Sequence, residues 1–117
     1  NTINNTIVQS HKYDEKLIKF KKFIYDPRLR KLHDTISSIR FTEKEAEIFL
    51  FLLNNRKSNI QKKRLLSEVW KYDDSIDTHT LETHIYSLRK KIESKLKINN
   101  LITFEEDKGY SINFTLL

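Results

Sequence analysis

Four apolar residues, Leu81, Ile85, Leu88 and Ile92, recur at i, i+4, i+7 and i+11 within "THTLETHIYSLRKKIESKL". That spacing draws one stripe down a helix, which must pack against something and cannot be a strand. At about 100° per residue, Thr80, Thr83, Ser87, Lys90 and Ser94 point away from the stripe, with His79 and Tyr86 alongside. The remaining face is narrow, polar and short-chained. Two readings fit it. One is an ordinary surface helix, although Ser and Thr form helices less well than the Glu, Lys and Gln that usually fill such faces. The other is a helix in a DNA major groove about 12 Å wide, where small hydroxyls let the backbone approach base edges and a threonine methyl can meet a thymine methyl. Arg89, Lys90 and Lys91 follow, and Lys62, Lys63 and Arg64 stand earlier in the chain. Basic side chains and helix N-termini fix register on phosphates without reading sequence. Lys90 and Lys91 also complement the helix C-terminus.

The remaining segments supply what this helix packs against. Residues 1–15 hold few apolar side chains and read as a linker or frayed end, leaving 16–117 as one domain. From Leu17 to Phe41, β-branched and aromatic residues interleave with charges around the turn "DPRLR", which predicts a small antiparallel sheet. Thr42 and Glu45 have capping-box spacing, so a helix runs from about Glu43 to Asn54 with its Ile48-to-Leu53 run buried. Leu65, Leu66, Val69 and Trp70 share a face, giving a second helix from about Lys62 to Lys71. The third covers about 78–94, and "LITFEED" and "GYSINF" read as two strands turning around Lys108 and Gly109. Strands, three helices and a terminal hairpin over 101–114 make an α+β winged helix-turn-helix.

Composition removes other classes. There is no cysteine, hence neither a disulfide framework nor a thiolate metal site. No apolar run approaches the roughly 20 residues of a membrane span, and no signal-peptide block opens the chain, so a soluble cytoplasmic protein is expected. The chain starts at Asn1 and has no Met, which reads as a segment of something longer or a processed product. The net charge of +6 is unevenly placed. Residues 12–33 and 56–71 each carry about +5 and 78–97 about +3, while 42–55, 72–77 and 103–110 are acidic. Alternating signs predict one positive and one negative face, or simply solvated faces. An enzyme is not expected, nor is a cofactor or metal. His79 and His84 point about 140° apart on a helix, and a chain whose only glycine is Gly109 has neither a phosphate loop nor a nucleophile elbow.

"FTEKEAEIFLFLL", "LLSEVW", "THTLETHIYSLRKKIE" and the "GY" of the last strand resemble, in order and spacing, the OmpR/PhoB-type effector domains of bacterial response regulators, over about Phe23 to Phe114. "DTHTLETHIY" further resembles an alphaproteobacterial subgroup. The resemblance implies a four-stranded sheet before the helices, a third helix in the major groove of promoter DNA, and a wing near the adjacent minor groove. It also implies a receiver domain upstream, and head-to-tail pairing on direct repeats by a domain that is monomeric off DNA. By position it puts Thr83 and Ser87 at bases, and His79, Thr80, His84, Tyr86, Arg89, Lys90, Lys91 and the Trp70 indole N–H at phosphates. Trp70 and His84 serve equally as packing residues. Lys108, Gly109 and Tyr110 belong to the wing. The acidic loop Lys71, Tyr72, Asp73, Asp74, Ser75, Ile76 and Asp77 falls where the family contacts RNA polymerase, or serves as a helix cap.

There are departures. His79 and Ser87 stand where the family often has Arg, which removes a bidentate contact to guanine and tilts preference toward A/T-rich sites. Glu105, Glu106 and Asp107 occupy a wing region where relatives carry Arg and Gly. These features support a rival expectation, a winged helix that binds protein and has only weak, non-specific affinity for DNA. RNA binding is a weaker rival, since Phe20, Phe23 and Tyr25 are more simply core than stacking platforms.

Overall fold

The computed structural model describes residues 16–117, and the lead-in expected over 1–15 lies outside the described residues. Four short strands, β1 (Ile18–Lys19), β2 (Ile24–Asp26), β3 (Lys31–His33) and β4 (Ser38–Arg40), form an antiparallel sheet in chain order. Their register sets Ile18, Tyr25, Leu32 and Ile39 in one row across it. Tyr25, Leu32 and Ile39 are buried, whereas Lys31, His33, Ser38 and Arg40, one step along their strands, stay accessible. The expected turn forms, with Asp26 Oδ1 accepting the Arg28 N–H at 3.0 Å around Pro27.

Helix α1 (Glu43–Asn54) starts where the capping box places it. Thr42 Oγ1 accepts the Glu45 N–H at 3.2 Å, and Glu45 Oε1 accepts the Thr42 N–H at 2.9 Å. The Ile48-to-Leu53 run is not buried throughout. Ile48, Phe49, Leu52 and Leu53 are buried, but Leu50 and Phe51 only partly, because a 3.6-residue period turns part of any continuous run off the core. The Arg64 guanidinium lies 5.4 Å from the Phe51 ring centroid. Tyr25, Phe41 and Phe49 join sheet to helix, with ring centroids 4.9, 5.1 and 5.6 Å apart.

Helix α2 (Lys62–Val69) stops two residues before the expected Lys71. Lys71 is left-handed, with φ 55°, and the Tyr72 N–H reaches the Ser67 carbonyl at 2.8 Å. That is a Schellman ending, normally signalled by glycine, and a lysine in the position hides it from the sequence. Helix α3 (Thr78–Lys91) starts behind Asp77, whose carboxylate accepts the Thr80 N–H at 3.2 Å. At Ile92 it changes winding into a π-turn, Ile92–Leu96, that ends at Lys97 with φ 60°. Leu81, Ile85, Leu88 and Ile92 are each at most 3% exposed, so the stripe is core.

Strands β5 (Ile102–Glu105) and β6 (Gly109–Ile112) make the hairpin. One turn of 3₁₀ helix, Phe114–Leu116, then returns the chain, so that the Leu117 carbonyl accepts the N–H groups of Lys22 and Phe23 at 2.9 and 3.1 Å. The hairpin end is thereby tied to the first sheet. The whole is an α+β winged helix-turn-helix with α3 braced by the other two helices. Among the described residues no helix is long and apolar enough to cross a membrane.

Candidate nucleic-acid interface

With its stripe buried, α3 exposes His79, Thr83, Tyr86, Ser87 and Lys90, and half-exposes Thr80. Thr83 Oγ1 donates to the His79 carbonyl at 3.0 Å, so its proton is spent within the helix and its methyl and lone pairs are what it presents. Tyr86 is 65% exposed, and the Lys90 ammonium stands 5.9 Å from its ring centroid. That is within cation–π range and holds the two side chains together.

One flank of α3 faces Trp70, the C-cap of α2. Trp70 and His84 are both half-buried and meet edge to face, 5.4 Å between centroids. Lys44 Nζ lies 5.3 Å from the Trp70 ring and donates to the Val69 carbonyl at 3.2 Å. Packing explains both rings, while the Trp70 indole N–H has no acceptor among the described residues. The other flank faces the start of α2 and the wing. Lys62 Nζ lies 2.6 Å from Glu82 Oε2 and 4.7 Å from the Phe104 ring centroid, clamping α2 to α3 and the hairpin. The hydrogen bond it donates to Glu82 raises the Lys62 ammonium above its usual pKa. Lys63 and Arg64 are exposed, and Arg89 is half-buried.

Lys91 does not point to the outer face. Its ammonium lies 2.6 Å from Glu45 Oε1 and donates to the Arg40 carbonyl at 3.1 Å. The Glu45 residue is 1% exposed, and a buried carboxylate needs a charged partner. Burial alone would raise the Glu45 pKa. Hydrogen bonds from Lys91 and the Thr42 N–H, with a weaker polar contact from the Ser87 hydroxyl, more than offset this and hold it below its ordinary value.

The wing holds Lys108, Gly109 and Tyr110 in different settings. Gly109 and Tyr110 are buried. Gly109 has φ +103°, and a Cβ there would collide with the Ile60 carbonyl oxygen. Tyr110 exchanges both backbone hydrogen bonds with Ile60, at 2.7 and 2.8 Å, and sets its ring 4.8 Å from Phe104. These two residues fasten the wing to the connection before α2 because the close backbone pairing leaves no room for a side chain. Only Lys108 of the three is exposed, 3.6 Å from Glu105, on a tip where Glu105, Glu106 and Asp107 are exposed too.

The acidic loop is built from its own residues. Lys71 and Tyr72 are left-handed, Tyr72 is 68% exposed, and its hydroxyl donates to Glu68 at 2.9 Å. Asp73 accepts from the Ser75 N–H and hydroxyl at 2.9 and 2.7 Å. Asp74 is exposed, Ile76 is half-buried, and Asp77 caps α3. The cap role therefore holds, and an exposed acidic surface remains beside it.

Residues 36–112 match the family model described as "Transcriptional regulatory protein, C terminal". The chain belongs to this family. It is a family of DNA-binding effector domains of transcription regulators, not of enzymes. The effector domain is 29% identical over 91 residues to the transcriptional regulatory protein SrrA of Staphylococcus aureus, spanning 78% of this chain and 38% of that protein. It resembles the C-terminal domain of the nisin resistance regulator NsrR with a TM-score of 0.67 and 28% identity, covering 83% of this chain and 96% of that one. The Klebsiella pneumoniae RstA DNA-binding domain, solved in complex with the RstA box, superposes with a TM-score of 0.66 and 20% identity, over 83% and 96% of the two chains.

Three features of the effector domain's site escape sequence reasoning: Lys44 at Trp70, Glu82 at Lys62, and the second partner of Glu45. All three are long-range pairs of side chains that look, residue by residue, like ordinary solvated charges. Glu45 alone left a signal, since its capping-box position already implied a fixed carboxylate.

Proposed function

We propose that residues 16–117 act as a unit that binds double-stranded promoter DNA sequence-specifically and controls transcription as the output domain of a two-component response regulator. One observation carries this reading: α3 buries its whole apolar stripe and leaves Thr83 and Ser87 exposed on a short-chained face. Such a face fits a major groove. Lys90, Arg89, the exposed Lys63 and the Trp70 indole N–H flank it as phosphate ligands, with His79, Thr80, His84 and Tyr86 around them. In the wing, Lys108 is the contact. The solved complex of RstA with its own box supports the DNA reading by likeness of fold.

A receiver domain upstream, pairing head to tail on direct repeats, a monomeric state off DNA and a cytoplasmic site of action belong to the same proposal. So does contact of the 71–77 loop with RNA polymerase, supported by the exposed Tyr72, Asp73 and Asp74. An alphaproteobacterial-like subgroup rests on the wording of "DTHTLETHIY" alone. The test is the pair Thr83→Ala and Ser87→Ala in one chain. Expected are an unchanged fold by circular dichroism and loss of preference for the promoter site over random duplex. An unchanged preference would remove both residues from base reading.

A second reading, a winged helix that binds protein, is favoured by the exposed Glu105, Glu106 and Asp107 at the wing tip. Salt decides between them. Each phosphate neutralised contributes about −0.9 to the slope of log affinity against log salt, whereas a protein partner gives no such multiple.

A further inference from the structure

Glu45 serves two elements at once. Its carboxylate completes the N-cap of α1 through the Thr42 N–H at 2.9 Å, and it receives the Lys91 ammonium from the last turn of α3 at 2.6 Å. The same ammonium donates to the Arg40 carbonyl at the end of β4, at 3.1 Å. Ser87 lies one turn before Lys91 on the same helix and is exposed. With the Glu45 side chain only 2% exposed, no water layer lets these groups slide. The contact therefore fixes the rotation of α3 about its axis, and so the direction in which Ser87 looks outward. It also withdraws one cation from the reading face.

We propose that Glu45 is a positioning residue for base reading: through Lys91 it sets the rotational register of α3 on the sheet and α1, and with it the outward direction of Ser87, and it holds Lys91 away from DNA phosphates. The inference rests on the DNA-binding reading of α3. A capping glutamate with no further role would contribute to stability alone. A register residue changes which bases are preferred.

Four chains, wild type, Glu45→Gln, Ser87→Ala and the double variant, are each selected against a randomised duplex library, with amide spectra recorded to verify folding. Glutamine preserves shape and the acceptor for Thr42 while removing the charge that holds Lys91. Glu45→Gln is expected to relax preference several-fold at the base pair that Ser87→Ala also relaxes, with little further loss in the double variant, the non-additivity of groups that act as a unit. Uniform weakening at every base pair, or additive losses, would reduce Glu45 to a stabilising cap and overturn the proposal. If Ser87→Ala relaxes no position while wild type remains selective, Ser87 is not a reader and the proposal falls with it. If wild type shows no selectivity, it is the DNA reading itself that has failed. Lys91→Gln gives the second arm. The salt slope of binding should be unchanged, and a slope shallower by about 0.9 would put Lys91 on a phosphate and contradict its withdrawal.

Discussion

Single residues carry more than their type suggests. Gly109 is the only glycine, and it is needed: with φ +103° and the Ile60 carbonyl against it, any side chain is both strained and obstructed. Gly109→Ala should lower stability by more than about 1 kcal/mol and weaken amide protection at Ile60 and Tyr110, measurable by hydrogen exchange. The Tyr25 hydroxyl is buried with no partner among the described residues, and burial raises its pKa. Removing an unpaired buried hydroxyl relieves a desolvation penalty, so Tyr25→Phe should leave the thermal midpoint unchanged or raise it, by up to about 1 kcal/mol of stability. The sequence shows Gly109 in a turn but not its collision with Ile60, since the two lie far apart in the chain. Likewise it places Tyr110 in the wing and offers Lys91 as a phosphate contact, because nothing local reveals the backbone pairing with Ile60 or the carboxylate of Glu45.

Elements were legible where their signals are local. The capping box sets the start of α1, period and Asp77 set α3, and alternation sets the sheet. The end of α2 was hidden by a lysine in a glycine position, and the change to π winding at Ile92 has no local sequence signal. The junction of α1 and α3 also has a pH signature. A carboxyl whose folded pKa lies below its unfolded value stabilises fully above the unfolded value and loses that contribution as pH falls through the folded one. The ordinary value for Glu45 is 4.5, so stability should begin to fall below it. Asp34, held down by backbone N–H groups led by Ser37, and Asp73, held down by Ser75, share this limb. Thermal midpoints recorded from neutral to acid pH should therefore decline less steeply for Glu45→Gln than for wild type. A parallel decline would show that the carboxylate is not preferentially stabilised by folding.

The whole molecule joins a sheet and two helices to a third helix with an exposed polar face, with the basic and acidic segments of the chain set on different elements. At this scale the order of elements was readable and the set of unengaged cations was not, because Lys62 and Lys91 are engaged by Glu82 and Glu45. Removing the wing tip carboxylates, with Glu105, Glu106 and Asp107 changed to Gln, Gln and Asn, should tighten binding to any duplex at low salt by less than tenfold without altering the preferred sequence, as competition titrations would show. The most direct test of the central claim is recovery of genomic fragments from the source organism by this chain, sequenced at low and at near-physiological salt. A few recurrent sites that persist at the higher salt are predicted. Bulk DNA recovered at low salt alone, with no recurrent site, would contradict sequence-specific recognition by α3.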